Sequence, residues 1–166
     1  FTTDTWFGTQ QFGTSSDDYA YGVATESSGN VFVGGYTFGG LDGNSNSGYN
    51  DLFVVKYYDN GTKHWTKQMG TLESERANGV ANDSSGNFYL TGNTSGGLDG
   101  NTNSGNSDIF LVKYYDNGTK QWTKQLGTSS SEQGYGVTVD SSNNIYVTGY
   151  TLGGLDNNTN SGDRDL

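Results

Sequence analysis

Three copies of one polar loop carry the side chains in this sequence that are best suited to binding a ligand. The loops read GGLDGNSNSGYND, GGLDGNTNSGNSD and GGLDNNTNSGDRD. From its first aspartate, each loop places oxygen-bearing side chains at the first, third and fifth positions and a second aspartate at the tenth. Oxygen ligands at such intervals suit a hard cation such as calcium. The candidate calcium ligands are Asp42, Asn44, Asn46, Asp51, Asp99, Asn101, Asn103, Asp108, Asp156, Asn158, Asn160 and Asp165.

The same loops have a second interpretation as structural turns. They lack the bidentate glutamate of an EF-hand loop, and neutral asparagines replace some of its acidic ligands. We therefore expect any calcium affinity to lie in the range of about 10⁻⁴–10⁻³ M that is typical of extracellular modules. Asp, Asn, Ser and Gly are also the residues that form turns, because they bond to their own backbone and tolerate left-handed φ angles. Duplication copies turns and binding sites alike, so both interpretations stay open.

Composition excludes several classes of protein. The net charge of −10 argues against nucleic acid or an anionic membrane as a partner, because both select basic surfaces. With no cysteine, the chain has neither a disulfide framework nor thiolate metal ligands. Its 12 tyrosines, 8 phenylalanines and 3 tryptophans are too many for a disordered chain and favour β-strands. No apolar run approaches the ~20 residues that a membrane helix needs.

The polar loops belong to a repeat that builds the whole chain. Leu41, Leu98 and Leu155 occupy the same place in the motif GGLD and are 57 residues apart, so 166 residues hold nearly three copies of one unit. Within each unit, strand-like segments are joined by short turns such as Asn60-Gly61 and Asn117-Gly118. The Asn-Gly pair is a strong hairpin signal. No window has the apolar periodicity of a helix, so the sequence predicts an all-β repeat without a second domain.

The third strand of the unit predicts how the sheets pack. Its segments DLFVVKYY and DIFLVKYY have consecutive apolar residues, so apolar groups project from both faces of the sheet. Sheets of four antiparallel strands that cover one another on both faces are the blades of a β-propeller. The rival fold, a calcium-binding β-solenoid, requires a nine-residue period that the sequence lacks. We therefore predict an all-β fold of propeller blades.

The order of the motifs resembles a known family. The segments YGVTVDSSNNIYVTGYTLGGLD and SDIFLVKYYDNGTKQWTKQLGT are similar to the bacterial β-propeller repeat abbreviated SBBP. The resemblance implies a multi-bladed propeller, commonly in secreted or surface-attached bacterial proteins, and implies no shared catalytic residues. A closed propeller has about 4–8 blades, so three units predict an incomplete ring, either a fragment of a larger propeller or one completed by other chains. The predicted parts are an N-terminal outer strand and loop (1–19), two blades (20–69 and 77–126) and a partial blade (134–166).

Two further sets of repeated positions fall at the start of each predicted blade. On a propeller the first strand of a blade lines the central channel, so the carboxylates Asp18, Glu75 and Glu132 are candidates for a ligand face. Tyr21, Asn78 and Tyr135 are candidates because recognition depends on positions at which the units differ. The alternative for the carboxylates is that each accepts backbone N–H groups and anchors the loop between two blades.

The sequence predicts a binding protein rather than an enzyme. It has no cysteine nucleophile, no histidine pair for zinc and no phosphate-binding loop. The leading hypothesis is a non-catalytic, secreted or cell-surface propeller scaffold that binds a protein or a polysaccharide, with calcium as a stabilising ion. One alternative is an extracellular structural subunit that self-associates into a ring or fibre by strand complementation. Another is a carbohydrate-active enzyme or lectin that uses the propeller face.

Overall fold

The strands follow one another without an intervening α-helix in the computed structural model, which describes residues 9–166. The predicted N-terminal outer strand falls partly outside these residues, and its described part, 9–17, forms no strand. The strands are β1 (Asp18–Thr25), β2 (Val31–Thr37), β3 (Asp51–Tyr57), β4 (Lys63–Met69), β5 (Glu75–Asn82), β6 (Phe88–Thr94), β7 (Asp108–Tyr114), β8 (Lys120–Leu126), β9 (Glu132–Val139) and β10 (Ile145–Thr151). Short 3₁₀ turns at Leu41–Gly43, Leu98–Gly100 and Leu155–Asn157 lie in the polar loops.

These strands form antiparallel sheets that have the architecture of propeller blades. β1 to β4 form the first blade and β5 to β8 the second, each in sequence order, while β9 and β10 form a two-stranded partial blade. β5 packs against both β1 and β9, so the first strands of successive blades lie side by side at the centre. The prediction of an all-β fold of propeller blades is confirmed, and within residues 9–166 the sheets do not close into a ring. Each blade begins two residues before its predicted start, at residues 18, 75 and 132.

Glycine determines the hairpin turns, as the Asn-Gly pairs predict. Gly61 and Gly118, between the third and fourth strands, have φ angles of 79° and 78°. A left-handed backbone of this kind costs glycine little, because it has no Cβ. The turns between the first and second strands use Gly29 and Gly86 in the same way, and Asn143 replaces glycine in the partial blade with a φ of 63°. Asparagine tolerates this conformation better than most residues.

A carboxylate reinforces the turn between β5 and β6. Asp83 accepts hydrogen bonds from the backbone N–H groups of Ser85 and Asn87, from the Asn87 amide and from the Tyr89 hydroxyl, at 2.8 to 3.0 Å. Burial acts to raise the pKa of Asp83, but the hydrogen bonds from Asn87 and Tyr89 outweigh it and hold that pKa below its ordinary value of 3.8. The ionised carboxylate therefore stabilises the fold.

We expect the contribution of Asp83 to depend on pH. Because its pKa is lowered in the folded state, the contribution is present above pH 3.8 and is lost as the pH falls through the folded pKa. Urea unfolding of the protein and of Asp83→Asn checks this, because the difference in unfolding free energy should be largest near pH 6 and shrink by pH 3. An equal difference at both pH values would contradict a role for the charge.

β3 has no solvated face, as its sequence predicts. Leu52 and Val54 point towards the second blade and pack in one core with Phe110 and Val112 of β7. Phe53 and Val55 point the other way, into a second core with Leu41 and Phe12. On β7, by contrast, Ile109 and Leu111 face the partial blade and are only partly buried. The face of β7 that meets the partial blade is therefore covered less completely than the face that meets the first blade.

An aromatic stack joins the first two blades. The ring of Phe88 on β6 lies 4.6 Å from the ring of Phe32 on β2 and 4.9 Å from that of Tyr114 on β7, between centroids. Trp65 of the first blade adds a third contact, 5.5 Å from Phe88. Phe32 and Phe88 are fully buried. The stack is therefore part of the hydrophobic core between the blades.

Candidate functional site

A β-bulge interrupts the innermost strand of each blade at the same position. In the first blade Ala20 pairs with Gly35 and Gly22 pairs with Gly34, which leaves Tyr21 without a partner in β2. The register of the other sheets skips Asn78 and Tyr135 in the same way. A bulge redirects the side chain of its extra residue and is common next to binding sites. The residues predicted as a ligand face, Tyr21, Asn78 and Tyr135, are therefore the bulge residues of the innermost strands.

Glycines opposite the bulges make this backbone arrangement feasible. A Cβ on Gly35 would lie 1.9 Å from the carbonyl oxygen of Tyr19, and one on Gly92 would lie 1.7 Å from that of Arg76. A Cβ on Gly149 would lie 1.9 Å from the carbonyl oxygen of Gln133. No side chain fits at such a distance. The second strand of each blade therefore needs glycine where the first strand bulges.

The first blade presents a cluster of tyrosines around its bulge. The rings of Tyr21 and Tyr36 are stacked with a centroid distance of 5.7 Å, and Tyr19 lies 5.0 Å from Tyr36. Tyr36 is buried at the base of the cluster, and Arg76 of the second blade lies over its ring at 4.9 Å. Burial and the adjacent Tyr21 hydroxyl raise the pKa of Tyr36 to about 12, so its phenol stays neutral. Tyr21 remains 58% exposed.

The other two blades vary this arrangement. In the partial blade, Tyr135 is 53% exposed and its ring lies 5.9 Å from Tyr150, over which Arg164 packs at 4.6 Å. In the second blade, asparagines occupy the equivalent positions, and Asn78 donates a hydrogen bond of 2.8 Å to the Gly134 carbonyl. The inner face thus offers exposed aromatic rings on the first and partial blades and an amide between them.

The repeated carboxylates do not share this face. Glu75 accepts hydrogen bonds from the backbone N–H and the hydroxyl of Thr71, at 2.6 and 2.8 Å, and from the Thr94 hydroxyl at 2.7 Å. Glu132 accepts the equivalent bonds from Thr128 and from Thr151 at the end of β10. Asp18 accepts them from Thr14 and from Thr37 at the end of β2. Glu75 and Glu132 are fully buried. These contacts favour the alternative that the carboxylates anchor the loops between blades.

The loop carboxylates predicted to bind calcium have separate protein partners. Asp42 forms an ion pair with Lys63 and accepts a hydrogen bond from Thr66, while Asp51 accepts the Ser47 N–H at 2.9 Å. In the second blade, Asp99 forms an ion pair with Lys120, and Asp108 accepts a hydrogen bond from the Ser104 N–H. The Lys63 and Thr66 bonds lower the pKa of Asp42. Within residues 9–166, no group of three or more His, Asp or Glu side chains is arranged to hold a metal.

The loop asparagines bond to the backbone of their own loop. The amide groups of Asn44 and Asn101 donate to the carbonyls of Leu41 and Leu98, at 2.7 and 2.8 Å. Those of Asn46 and Asn103 donate to the carbonyls two residues further on, at 2.8 and 2.6 Å. In the third loop, Asn158 donates to the Leu155 carbonyl, and Asn160 accepts a hydrogen bond from the Gly162 N–H. Asp165 accepts one from the Ser161 N–H. Asp156 has a left-handed backbone, with a φ of 50°. These bonds support the structural interpretation of the loops, and calcium binding stays a prediction.

One glutamine in each complete blade organises the loop and is absent from the sequence prediction. Gln68 on β4 accepts the Leu41 N–H at 3.0 Å and donates to the Gly39 carbonyl and to Asp51, both at 3.0 Å. Gln125 makes the same three contacts in the second blade. Recurrence of glutamine at Gln11, Gln68 and Gln125, with the 57-residue period, was the available signal. Only the structure connects β4 to the loop.

The four-stranded antiparallel sheets and their repeated bulges are those of β-propeller blades. The sequence model of the SBBP beta-propeller repeat matches residues 8–42 and 121–156, which confirms the predicted resemblance. The first match ends in the first polar loop, and the second runs from β8 to the third polar loop. The second match therefore spans the junction between the second blade and the partial blade.

Part of this sequence is similar to a curated protein. The chain is 29% identical over 121 residues, 63% of its length, to the "uncharacterized WD repeat-containing protein L264" of Acanthamoeba polyphaga mimivirus. The alignment spans 9% of that protein. The family match and this relative support a propeller scaffold. Within residues 9–166, no helix has the length and apolar character required to cross a membrane.

Proposed function

We propose that this chain is a non-catalytic scaffold that binds a protein or a glycan through the face formed by its innermost strands. The observation that carries the proposal is the bulge at Tyr21 and Tyr135. The bulge turns both tyrosines out of the strand ladder and leaves more than half of each side chain exposed. Exposed tyrosines have an apolar ring and a polar hydroxyl, which is why they are enriched in binding interfaces.

The surroundings of the tyrosines support binding rather than hydrolysis. Glycoside cleavage needs two carboxyl groups that flank the scissile bond. The carboxylates that begin β5 and β9, Glu75 and Glu132, are buried and hydrogen-bonded by threonines instead. The proposal places the protein outside the cell or on its surface, because its repeats resemble those common in secreted and surface-attached bacterial proteins.

We expect the change Tyr21→Ala together with Tyr135→Ala to weaken ligand binding about 10-fold or more, because exposed aromatic residues at the centre of an interface carry much of its affinity. Affinity for ligands identified on glycan and peptide arrays measures this effect. Tyr115→Ala is the matched control, since Tyr115 is 50% exposed and follows β7, away from the innermost strands. Equal losses in both variants, or no ligand on either array, would contradict the proposal.

Self-association is a second candidate function, which one feature of the partial blade favours. A cavity of about 550 Å³ lies between β10 and the second blade, with Ile109, Leu111, Leu126 and Val147 among its lining residues. In the complete blades a third strand pairs along the edge of the second strand, whereas β10 pairs only with β9 and, through one bridge, with Asp165. An edge of this kind accepts a strand from another chain. Light scattering after size exclusion tests this candidate, and a monomer at all concentrations would exclude it.

A further inference from the structure

Two carboxylates from different blades are buried together where one blade meets the next. Asp51 begins β3 of the first blade, Glu75 begins β5 of the second, and both are 0% exposed. The two groups converge on Gly70, between β4 and β5. The point that a Cβ on Gly70 would occupy lies 2.1 Å from Asp51 Oδ1 and 2.9 Å from Glu75 Oε2. Glycine at this position is therefore required for the close approach.

No positive charge in the described residues balances these two carboxylates. Asp51 accepts hydrogen bonds only from the Ser47 N–H and the Gln68 amide, and Glu75 accepts only from Thr71 and Thr94. The ion pairs of residues 9–166 all involve other carboxylates. Buried charges are costly unless an opposite charge compensates them. A cation between them would supply that compensation.

Buried oxygen atoms without a partner mark where such a cation would bind. Asp51 Oδ1 and Asn46 Oδ1 are both inaccessible to solvent and have no hydrogen-bond donor. Buried polar atoms nearly always have a partner, so each exception requires an explanation. At the second junction Asp108 Oδ1 and Asn103 Oδ1 also lack donors, and Asp108 Oδ1 lies 2.0 Å from the Cβ point of Gly127. Glu132, the equivalent of Glu75, begins the next strand and is fully buried.

We propose that each junction binds one hard cation, best matched by calcium, through the aspartate and asparagine of one blade and the glutamate of the next. The candidate ligands are Asn46, Asp51 and Glu75 at the first junction and Asn103, Asp108 and Glu132 at the second. These ligands are all oxygens, and two are carboxylates, which suits calcium. The set omits Asp42 and Asn44, which are bonded to Lys63 and to the Leu41 carbonyl. The ion would tie each blade to its successor.

The number of bound ions distinguishes this site from the loop site. Calorimetric titration of the metal-stripped chain with calcium chloride should give two ions per chain, one for each junction, whereas the three polar loops would give three. Calcium at 5 mM should raise the melting temperature by about 5 °C or more, because a ligand of the folded state stabilises it by mass action. Absence of heat and of a melting shift, or a count of three, would overturn the proposal.

Matched variants assign the ligands. Asp51→Asn and Glu75→Gln should each reduce the count from two ions to one, and the control Asp42→Asn should retain two. An unchanged count in Asp51→Asn, or a loss in Asp42→Asn, would overturn the assignment, and the count in the unmodified chain decides the matter if a variant does not fold. The inference deepens the proposed scaffold. Since these measurements use no protein or glycan ligand, their failure is distinct from failure of the tyrosine experiment.

Discussion

Replacing Phe88 with alanine should lower the free energy of unfolding by about 3–5 kcal/mol, the range measured when a fully buried phenylalanine is truncated. The ring lies between Phe32 of the first blade and Tyr114 of the second, at centroid distances of 4.6 and 4.9 Å. Its removal leaves a cavity in the core between two rigid sheets, and sheets of this kind cannot collapse to fill it. A domain is stable by only about 5–15 kcal/mol, so the variant should be marginal.

Urea unfolding followed by tryptophan fluorescence measures this loss, because Trp65 packs 5.5 Å from Phe88. Phe38→Ala is the control, since Phe38 is partly exposed and contacts Tyr36 at the edge of the first blade. We expect that control to cost less than about 1 kcal/mol. Equal losses in the two variants would show that the core between the blades does not dominate stability.

The second large effect should follow Lys56→Ala, with a loss of about 3 kcal/mol in unfolding free energy. Lys56 on β3 is buried, with its ammonium 3.2 Å from Glu26 Oε1 and paired with Asp116 of the second blade. Glu26 is itself nearly buried. Without the lysine, Glu26 would keep hydrogen bonds from Ser28 and Asn30 on Oε2 but would lose the partner of Oε1. The loss of this counter-charge in a site with little water is the main source of the expected effect.

Lys113 is the matched control because it occupies the same position in the second blade. Its ammonium lies 3.9 Å from Asp83, which keeps hydrogen bonds from Ser85, Asn87 and Tyr89 without it. Lys113→Ala should therefore cost less than about 1 kcal/mol. Adding Glu26→Gln to Lys56→Ala should recover part of the loss, because it removes the unpaired charge. Equal effects of the two lysine changes in thermal and urea unfolding would contradict this account.

The features of the fold that the sequence predicts are those encoded by local pattern. The 57-residue period, the Asn-Gly turns and the double-faced apolar third strand each have a direct physical cause, and each is present in the structure. The residues at which each blade begins are harder to predict from the sequence. β5 begins at Glu75, where its backbone N–H bonds to the Asn50 carbonyl of the preceding blade, a contact that no local pattern signals.

The sequence likewise predicts some features of the candidate site, while others depend on contacts that only the structure shows. The sequence marks Tyr21, Asn78 and Tyr135 as equivalent positions at which the units differ. The bulge at each depends on pairing between the first and second strands of its blade and has no local signature. For the polar loops, composition left two interpretations open, because Asp and Asn serve both turns and calcium. The structure adds what sequence spacing lacks: Gln68 holds the loop from another strand, and Asp51 lies beside a glutamate of the next blade.

The glycines that face the bulges separate what the repeat must keep from what it is free to vary. At Gly35, Gly92 and Gly149 even a methyl group would collide with a backbone carbonyl, so the residue is the same in each copy. The bulge residues opposite them have already diverged to Tyr21, Asn78 and Tyr135. A gene that grows by copying this unit can therefore change the bulge residues one blade at a time while the backbone arrangement beneath them stays fixed.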